Sequence, residues 1–255
     1  LKRLRVLMTR EEIEPEKLAG ATVVVIDVFM ATTTLLTILE NGAEGVYPVR
    51  SLEEAEEVAR TLEPANLLRG GEQDAERIEG YDHGPFPSEY PPEVVSGKEV
   101  VFVTTNGTRA IGAASGAQEL LIGALRNAPA VARYLAGSGT ESVYIVCAGS
   151  AGRFTVEDFL GASSIVHGMN EGGYLDDWRL NDAAWMALDF AGRYGGREGE
   201  ALKNGRAGRW FFDNGEEEAF GFVADVGASE TVAGVEDGRL RRVVTEAREH
   251  GAASS

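Results

Sequence analysis

Short apolar runs alternate with stretches of helical spacing along the first 170 residues. Ala21–Val28 (ATVVVIDV) is a continuous β-branched run, the pattern of a strand covered on both faces. Glu99–Thr104 (EVVFVT) and Ser142–Cys147 (SVYIVC) repeat that pattern, and Val46–Val49, Asn66–Arg69 and Glu119–Ile122 read as shorter strands. Helical spacing fills the intervals, over Thr32–Leu39, Ser51–Leu62, the segment from about Gly107, Asn127–Leu135 and Thr155–Met169. Ser51 with Glu54, and Thr155 with Asp158, have the spacing of capping boxes. Strands separated by helices of this size predict right-handed βαβ crossovers, hence an α/β protein of three α/β/α layers around a largely parallel sheet.

Two stretches break this rhythm. Gly70–Gly97 holds four of the eight prolines (Pro85, Pro87, Pro91, Pro92) and reads as an ordered excursion, the kind of long loop that usually carries function when it is ordered. Beyond Gly172 the pattern becomes mostly helical, over Asn181–Tyr194, Glu198–Phe212 and Glu216–Val226. Two β-like runs within Thr231–Val244 then flank the hairpin signal Asp237-Gly238. We therefore divide the chain into a sheet domain, 1–170, and a small C-terminal helical extension with a hairpin, 171–255, packed on the same unit. The last five residues read as frayed.

Charge narrows the partners. Among 255 residues there are 41 acids against 24 Lys and Arg, a formal net charge of −17, and only Lys2, Lys17, Lys98 and Lys203 supply lysine. A surface this acidic repels nucleic acid and anionic lipid. No apolar run approaches the ~20 residues of a membrane span. The basic, mixed start of the chain lacks a secretory pattern, and the single cysteine, Cys147, excludes an internal disulfide framework. A cytoplasmic protein is expected, and a homo-oligomer is left open.

Ligands of a wound α/β sheet bind beyond the carboxyl ends of the strands. Three turns there are rich in small hydroxyl and amide side chains: Asp27 with Thr32 and Thr33; Thr105, Asn106, Gly107, Thr108 and Arg109; and Cys147 to Arg153, with Gly149 and Gly152. Helix N-termini present free N–H groups and partial positive charge, so three on one rim suit a small phosphorylated anion. Each turn also suits a simple N-cap. Asp27 at a buried strand end needs a partner, a metal or a capping role. Glu72 and Asp82 stand in the excursion, and Glu157 and Asp158 open a helix. Oxygen ligands from scattered loops suit Mg²⁺, with Asp27, Glu72 and Asp158 as candidates, whereas no His or Cys pair suits zinc. Asp158 fits a structural cap equally well. Asp82 is the candidate general acid/base, beside Asp27. His167 and His250 read as incidental. An aspartyl nucleophile would want a second aspartate two residues on, where Phe29 stands. A cysteine phosphatase needs Cys, five residues, then Arg, which Cys147 and Arg153 supply.

The stretches VVVIDVFMATTT, GGEQDAERIEGYD, VVFVTTNGTRA and VCAGSAGRFTVEDFLGA together resemble the 2-phosphosulfolactate phosphatase family of coenzyme M biosynthesis, from about Val23 to Ala162, with weaker similarity to the end. The resemblance implies Mg²⁺-dependent hydrolysis of 2-phosphosulfolactate to sulfolactate and phosphate. It carries over Asp27, Thr32, Thr33, Glu72, Asp82, Thr105, Asn106, Gly107, Thr108, Cys147, Gly149, Glu157 and Asp158. The chain departs from the family at Met30 and Gln73, where arginine is usual, and at Pro85-Phe86, where Asn-Ser is usual. Two guanidinium clamps on an anion are thereby lost. Two other readings stand beside the enzyme: a non-catalytic small-anion binder of the same fold, and a cysteine-dependent phosphatase using Cys147 and Arg153.

Overall fold

A computed structural model describes residues 1–243; Gly251–Ser255, His250 and the last residue of the Thr231–Val244 reading lie outside the described residues. In chain order the elements are β1 (Lys2–Leu7), β2 (Thr22–Ile26), α1 (Ala31–Glu40), β3 (Gly45–Val49), α2 (Leu52–Ala59), β4 (Leu67–Gly71) and α3 (Pro92–Val95). Next come β5 (Glu99–Val103), α4 (Gly107–Ala113), β6 (Glu119–Gly123), α5 (Ala128–Gly137), β7 (Ser142–Cys147) and α6 (Val156–Glu171). The C-terminal part adds β8 (Trp178–Leu180), α7 (Asp182–Tyr194), α8 (Glu198–Asn204), α9 (Arg206–Asp213), α10 (Glu217–Val223), β9 (Ala233–Glu236) and β10 (Arg239–Arg242).

The ten strands of the described residues join one sheet in the order β4-β5-β3-β10-β9-β6-β2-β7-β1-β8. The three pairings made by β9 and β10 are antiparallel and the other six are parallel. The sheet is thus two parallel sets, antiparallel to each other, joined by the C-terminal hairpin. One face packs Val24, Ile26 and Ile145 against α5, α6 and α7. The other packs Val23, Val25, Val46 and Phe102 against α1 and α4. This is the three-layer arrangement the alternation predicts. Because α1 touches β3 and β6 while α4 touches β2 and β3, the two helices lie together under the junction of the sets. The turns that open them, after β2 and β5, therefore meet.

Several local readings need correction. Strands β1 and β8 carry no apolar run, yet β1 pairs with β7 and β8 along Lys2–Leu7, its Leu4 and Val6 filling the core. The single helix expected over Glu198–Phe212 is broken at Gly205, whose backbone is extended and where a Cβ would stand 2.5 Å from Val156 Cγ1. The capping box at Ser51 forms by half: Ser51 Oγ accepts from Glu54 N at 3.2 Å, while Glu54 reaches past it to accept from Arg50 N at 2.8 Å.

Candidate active site

The turns after β2, β4, β5 and β7 open onto one cavity of about 460 Å³. Its polar floor is Asp27, Glu72, Asp74, Thr104, Thr105, Asn106 and Ser150; its other wall is apolar, with Phe29, Met30, Pro85, Phe86, Trp210 and Phe211. Asp27, Asn106 and Ser150, widely separated in sequence, thus face the same space. Among the described residues no lysine, arginine or histidine lines it.

Asp27 is the first residue past β2 and is buried. Burial pushes its carboxyl up to about 7, and the negative charges of Glu72 and Glu157 push the same way; the N–H groups of Ala31 and Gly107 pull against them. Gly107 is glycine because of this approach: a Cβ there would stand 2.6 Å from Asp27 Oδ2 and 2.4 Å from Ala31 Cβ. The space the missing side chain leaves is filled by the protein's own carboxylate. Glu72 is latched to the turn after β5. Its Oε1 accepts from Thr105 N at 2.6 Å, and its Oε2 accepts from Thr105 Oγ1 at 2.9 Å and from Ala75 N at 2.7 Å. Asp74 N in turn donates to Thr105 Oγ1 at 2.7 Å.

Asn106 is held by its oxygen. Its Oδ1 accepts from Arg10 Nη1 at 3.2 Å and from Ala151 N at 3.4 Å, tying the turns after β1, β5 and β7 together. Arg10 Nη1 also donates to the carbonyls of Thr105 and Asn106 at 3.1 and 3.3 Å. Sequence reasoning missed Arg10, and nothing in its neighbourhood of alternating charges could have marked it. It likewise missed Trp210 and Phe211, which read only as the apolar positions of a helix.

Other expected site residues serve the backbone. Thr32 Oγ1 lies against Asp27 N, Asp27 O and Gly123 O, and Thr33 Oγ1 donates to Val28 O at 2.9 Å; both are fully buried and line no part of the cavity. Thr108 exchanges hydrogen bonds with Thr104 at 2.9–3.2 Å and is equally buried. Asp82 is exposed, accepts from Arg69 N at 2.8 Å and stands outside the cavity, so it is placed to hold the excursion and not to move a proton there. Arg109 lines a separate 140 Å³ pocket with Arg50, Ser51 and Gln73, across Glu72 and Thr105 from the main one.

Asp158 does not cap its own helix. Its Oδ1 accepts from Val28 N at 2.9 Å and its Oδ2 from Gly149 N at 3.0 Å, binding the turn after β2 to the turn after β7. Gly149 takes a φ of +67°, which suits glycine. Burial raises Asp158 well above the usual carboxylate range, reinforced by the charges of Asp27 and Glu157. Glu157 is raised too, by burial first. Cys147 is fully buried in the core and burial pushes its thiol up, while Arg153 is exposed; a thiolate nucleophile is excluded by both access and charge.

Among the described residues no helix is long and apolar enough to cross a membrane. A family model described as 2-phosphosulpholactate phosphatase matches residues 7–238. A protein of Symbiobacterium thermophilum named "Probable 2-phosphosulfolactate phosphatase" is 41% identical over 212 residues, 83% of this chain and 90% of that protein. Proteins of the same name from Caldanaerobacter subterraneus subsp. tengcongensis and Thermotoga petrophila are 40% and 43% identical, covering 70% and 66% of this chain and 73% and 71% of theirs. With the layered sheet and the cavity at its strand ends, these matches establish that the chain belongs to the 2-phosphosulfolactate phosphatase family of phosphoric monoester hydrolases.

Proposed function

We propose that this protein hydrolyses a small phosphate monoester to an alcohol and inorganic phosphate with Mg²⁺ bound by Asp27 and Glu72; 2-phosphosulfolactate, the substrate in the relatives' names, is the reference compound. The observation that carries this reading is the Asp27 and Glu72 carboxylates, with Asp74, on one cavity floor that no Lys, Arg or His among the described residues lines. Such a donor set fits a hard divalent cation that shares its coordination with water and phosphate. Asp158 does not fit, because it lies outside the cavity, where it joins Val28 N to Gly149 N, whereas Glu72, though its oxygens also accept from Thr105 and Ala75, stands on the cavity floor. Among the described residues no group of three or more Asp, Glu, His or Cys is gathered as a metal site, which leaves the two-carboxylate arrangement.

When bound, Mg²⁺ would supply charge neutralisation for the phosphoryl oxygens. The chain supplies the rest. With its oxygen already taken by Arg10 and Ala151, the Asn106 amide is fixed with its NH₂ as the group left to donate to a phosphoryl oxygen. Ser150 offers a hydroxyl from the facing turn. Asp27 would serve there as a metal-holding carboxylate, the cation offsetting the burial and like charges that raise its proton affinity in the free protein. A metal-free anion binder is the poorer reading, since among the described residues three acids and no Lys, Arg or His line the cavity. Phosphate release from 2-phosphosulfolactate and from simple monoesters, with Mg²⁺ and with EDTA, is the test. Mg²⁺-dependent release is expected, and background-level release in both conditions across the substrates rejects the enzyme reading.

A further inference from the structure

Two arginines stand beside the cavity with no part in the phosphate and metal end. Ala151 and Gly152, with φ values of +51° and +71°, form the two-residue turn of a tight hairpin in which Ser150 and Arg153 exchange both backbone hydrogen bonds, at 2.9 and 3.1 Å. Residues paired in this way send their side chains to the same face. Ser150 and Ala151 line the cavity, so the turn sets Arg153 next to it, on the face that Ser150 presents. Arg206 arrives from another part of the chain: it opens α9, one residue before the cavity-lining Ala207. Gly205 before it packs on the start of α6, where a Cβ would stand 2.5 Å from Val156 Cγ1 and 3.2 Å from Glu157 Oε2. Val156 closely follows Arg153 in the chain, so the two arginines come to one rim.

Both side chains are exposed, and among the described residues neither makes an ion pair or a side-chain hydrogen bond. The acids near them are committed elsewhere. Glu11, beside the hairpin tip, pairs with Arg10 at 3.1 Å. Glu157 feels the charge of Arg206 but is buried and makes no ion pair with it. Other arginines around the cavity are occupied: Arg10 on the turn after β5, Arg77 on Glu89 and Arg209 on Asn204 O. An oxyanion at this rim would therefore meet two guanidiniums with their donors open, the geometry that gives paired, charge-assisted hydrogen bonds. We infer that Arg153 and Arg206 take the second anionic group of a small phosphate monoester, a sulfonate or carboxylate a few bonds from the phosphorus, and so set a preference for doubly anionic substrates. This rests on the phosphatase reading for the phosphate end and goes beyond it by assigning residues to the other end.

The test titrates 2-phosphonoethanesulfonate and propylphosphonate calorimetrically into the whole protein with Mg²⁺. The two share a phosphonate end and are similar in length, and only the first carries a second charge, on a sulfonate that competes poorly for Mg²⁺. The sulfonate probe is expected to bind about tenfold tighter. Arg153→Gln and Arg206→Gln should each cut that preference to about threefold and together remove it, with propylphosphonate affinity held within about twofold throughout. Lysine at either position should restore part of the preference, since it keeps the charge and loses the fork. Equal binding of the two probes to the unaltered protein, or a preference that survives the double substitution, overturns the inference. So does a loss of both probes together on substitution, which would mark a structural role. Binding of neither probe to the unaltered protein overturns the inference and the phosphate end with it. A clear preference with no monoester hydrolysed would retire the phosphatase reading and leave the arginine pair standing, whereas hydrolysis without the preference would retire the pair alone.

Discussion

Asp27 places a carboxyl where folding alone would not choose one, immediately past a strand covered on both faces and with Glu72 and Glu157 as its charged neighbours. Its raised pKa has a definite sign for stability. The unfolded chain releases this proton near pH 4 and the folded chain near 7, so between them the folded state holds more protons and stability falls as pH rises through that window. Asp158 and Glu157, raised in the same direction, add to the slope. Asp27→Asn removes one share of this penalty. In EDTA the variant should gain roughly 1–3 kcal/mol over the parent at pH 8 and nothing at pH 3, read by urea unfolding. Added Mg²⁺ should raise the melting temperature of the parent and leave the variant unmoved. Equal stability of the two proteins at both pH values would show that the Asp27 carboxyl is not held under strain.

At the level of elements, the turns are bound to one another more than to anything outside. Asp158 is the clearest case, one side chain at the start of α6 accepting from the turns after β2 and β7 together. Asp158→Ala leaves two buried N–H groups without partners, at about 1–3 kcal/mol each, so a loss of roughly 2–5 kcal/mol is expected on thermal or urea unfolding. A loss below about 1 kcal/mol would mean that water replaces the carboxylate at both N–H groups. The sequence made the element pattern legible wherever apolar runs were continuous, as at β2, β5 and β7, and it located the turns that face the cavity. It was silent on β1, whose alternating basic residues hide a core strand, and on the break at Gly205, which answers to Val156 across the molecule. It also could not say which hydroxyls face outward. Thr32, Thr33 and Thr108 have the composition of an anion cradle, but each satisfies nearby backbone and is buried. Asp82 shows the same ambiguity for acids. A short polar side chain at a helix start bonds its own turn as well as a ligand, and spacing does not separate the two.

The whole molecule explains why the cavity depends on a hairpin that never touches it. Glu72 and the Thr104–Asn106 turn belong to the β3-β5-β4 set, whereas Asp27 and Ser150 belong to the set around β2 and β7, so the proposed metal pair is assembled across the two. In the sheet of the described residues β9 and β10 run between the sets, with a turn at Asp237 and Gly238 whose φ values of +50° and +76° match the tight hairpin its sequence predicts. The stitch is narrow: Leu240 opposite Val46 on one side, Gly234 and Ala233 opposite Leu121 and Ile122 on the other. Leu240 is fully buried in the core beside Val46, so Leu240→Ala should cost about 2–4 kcal/mol. Leu135→Ala, in the core cluster that α5 builds with α6, should cost a similar amount within one set. If the hairpin holds the two carboxylates in register, Leu240→Ala alone should also weaken Mg²⁺ binding, by about five- to tenfold well below the melting temperature, because a shift near 1 Å in one half of a donor pair is enough. Titration calorimetry with Mg²⁺ on both variants decides it. Matched affinities would mean that the two crossovers through α1 and α4 fix the register without the hairpin, and that Leu240 contributes packing alone.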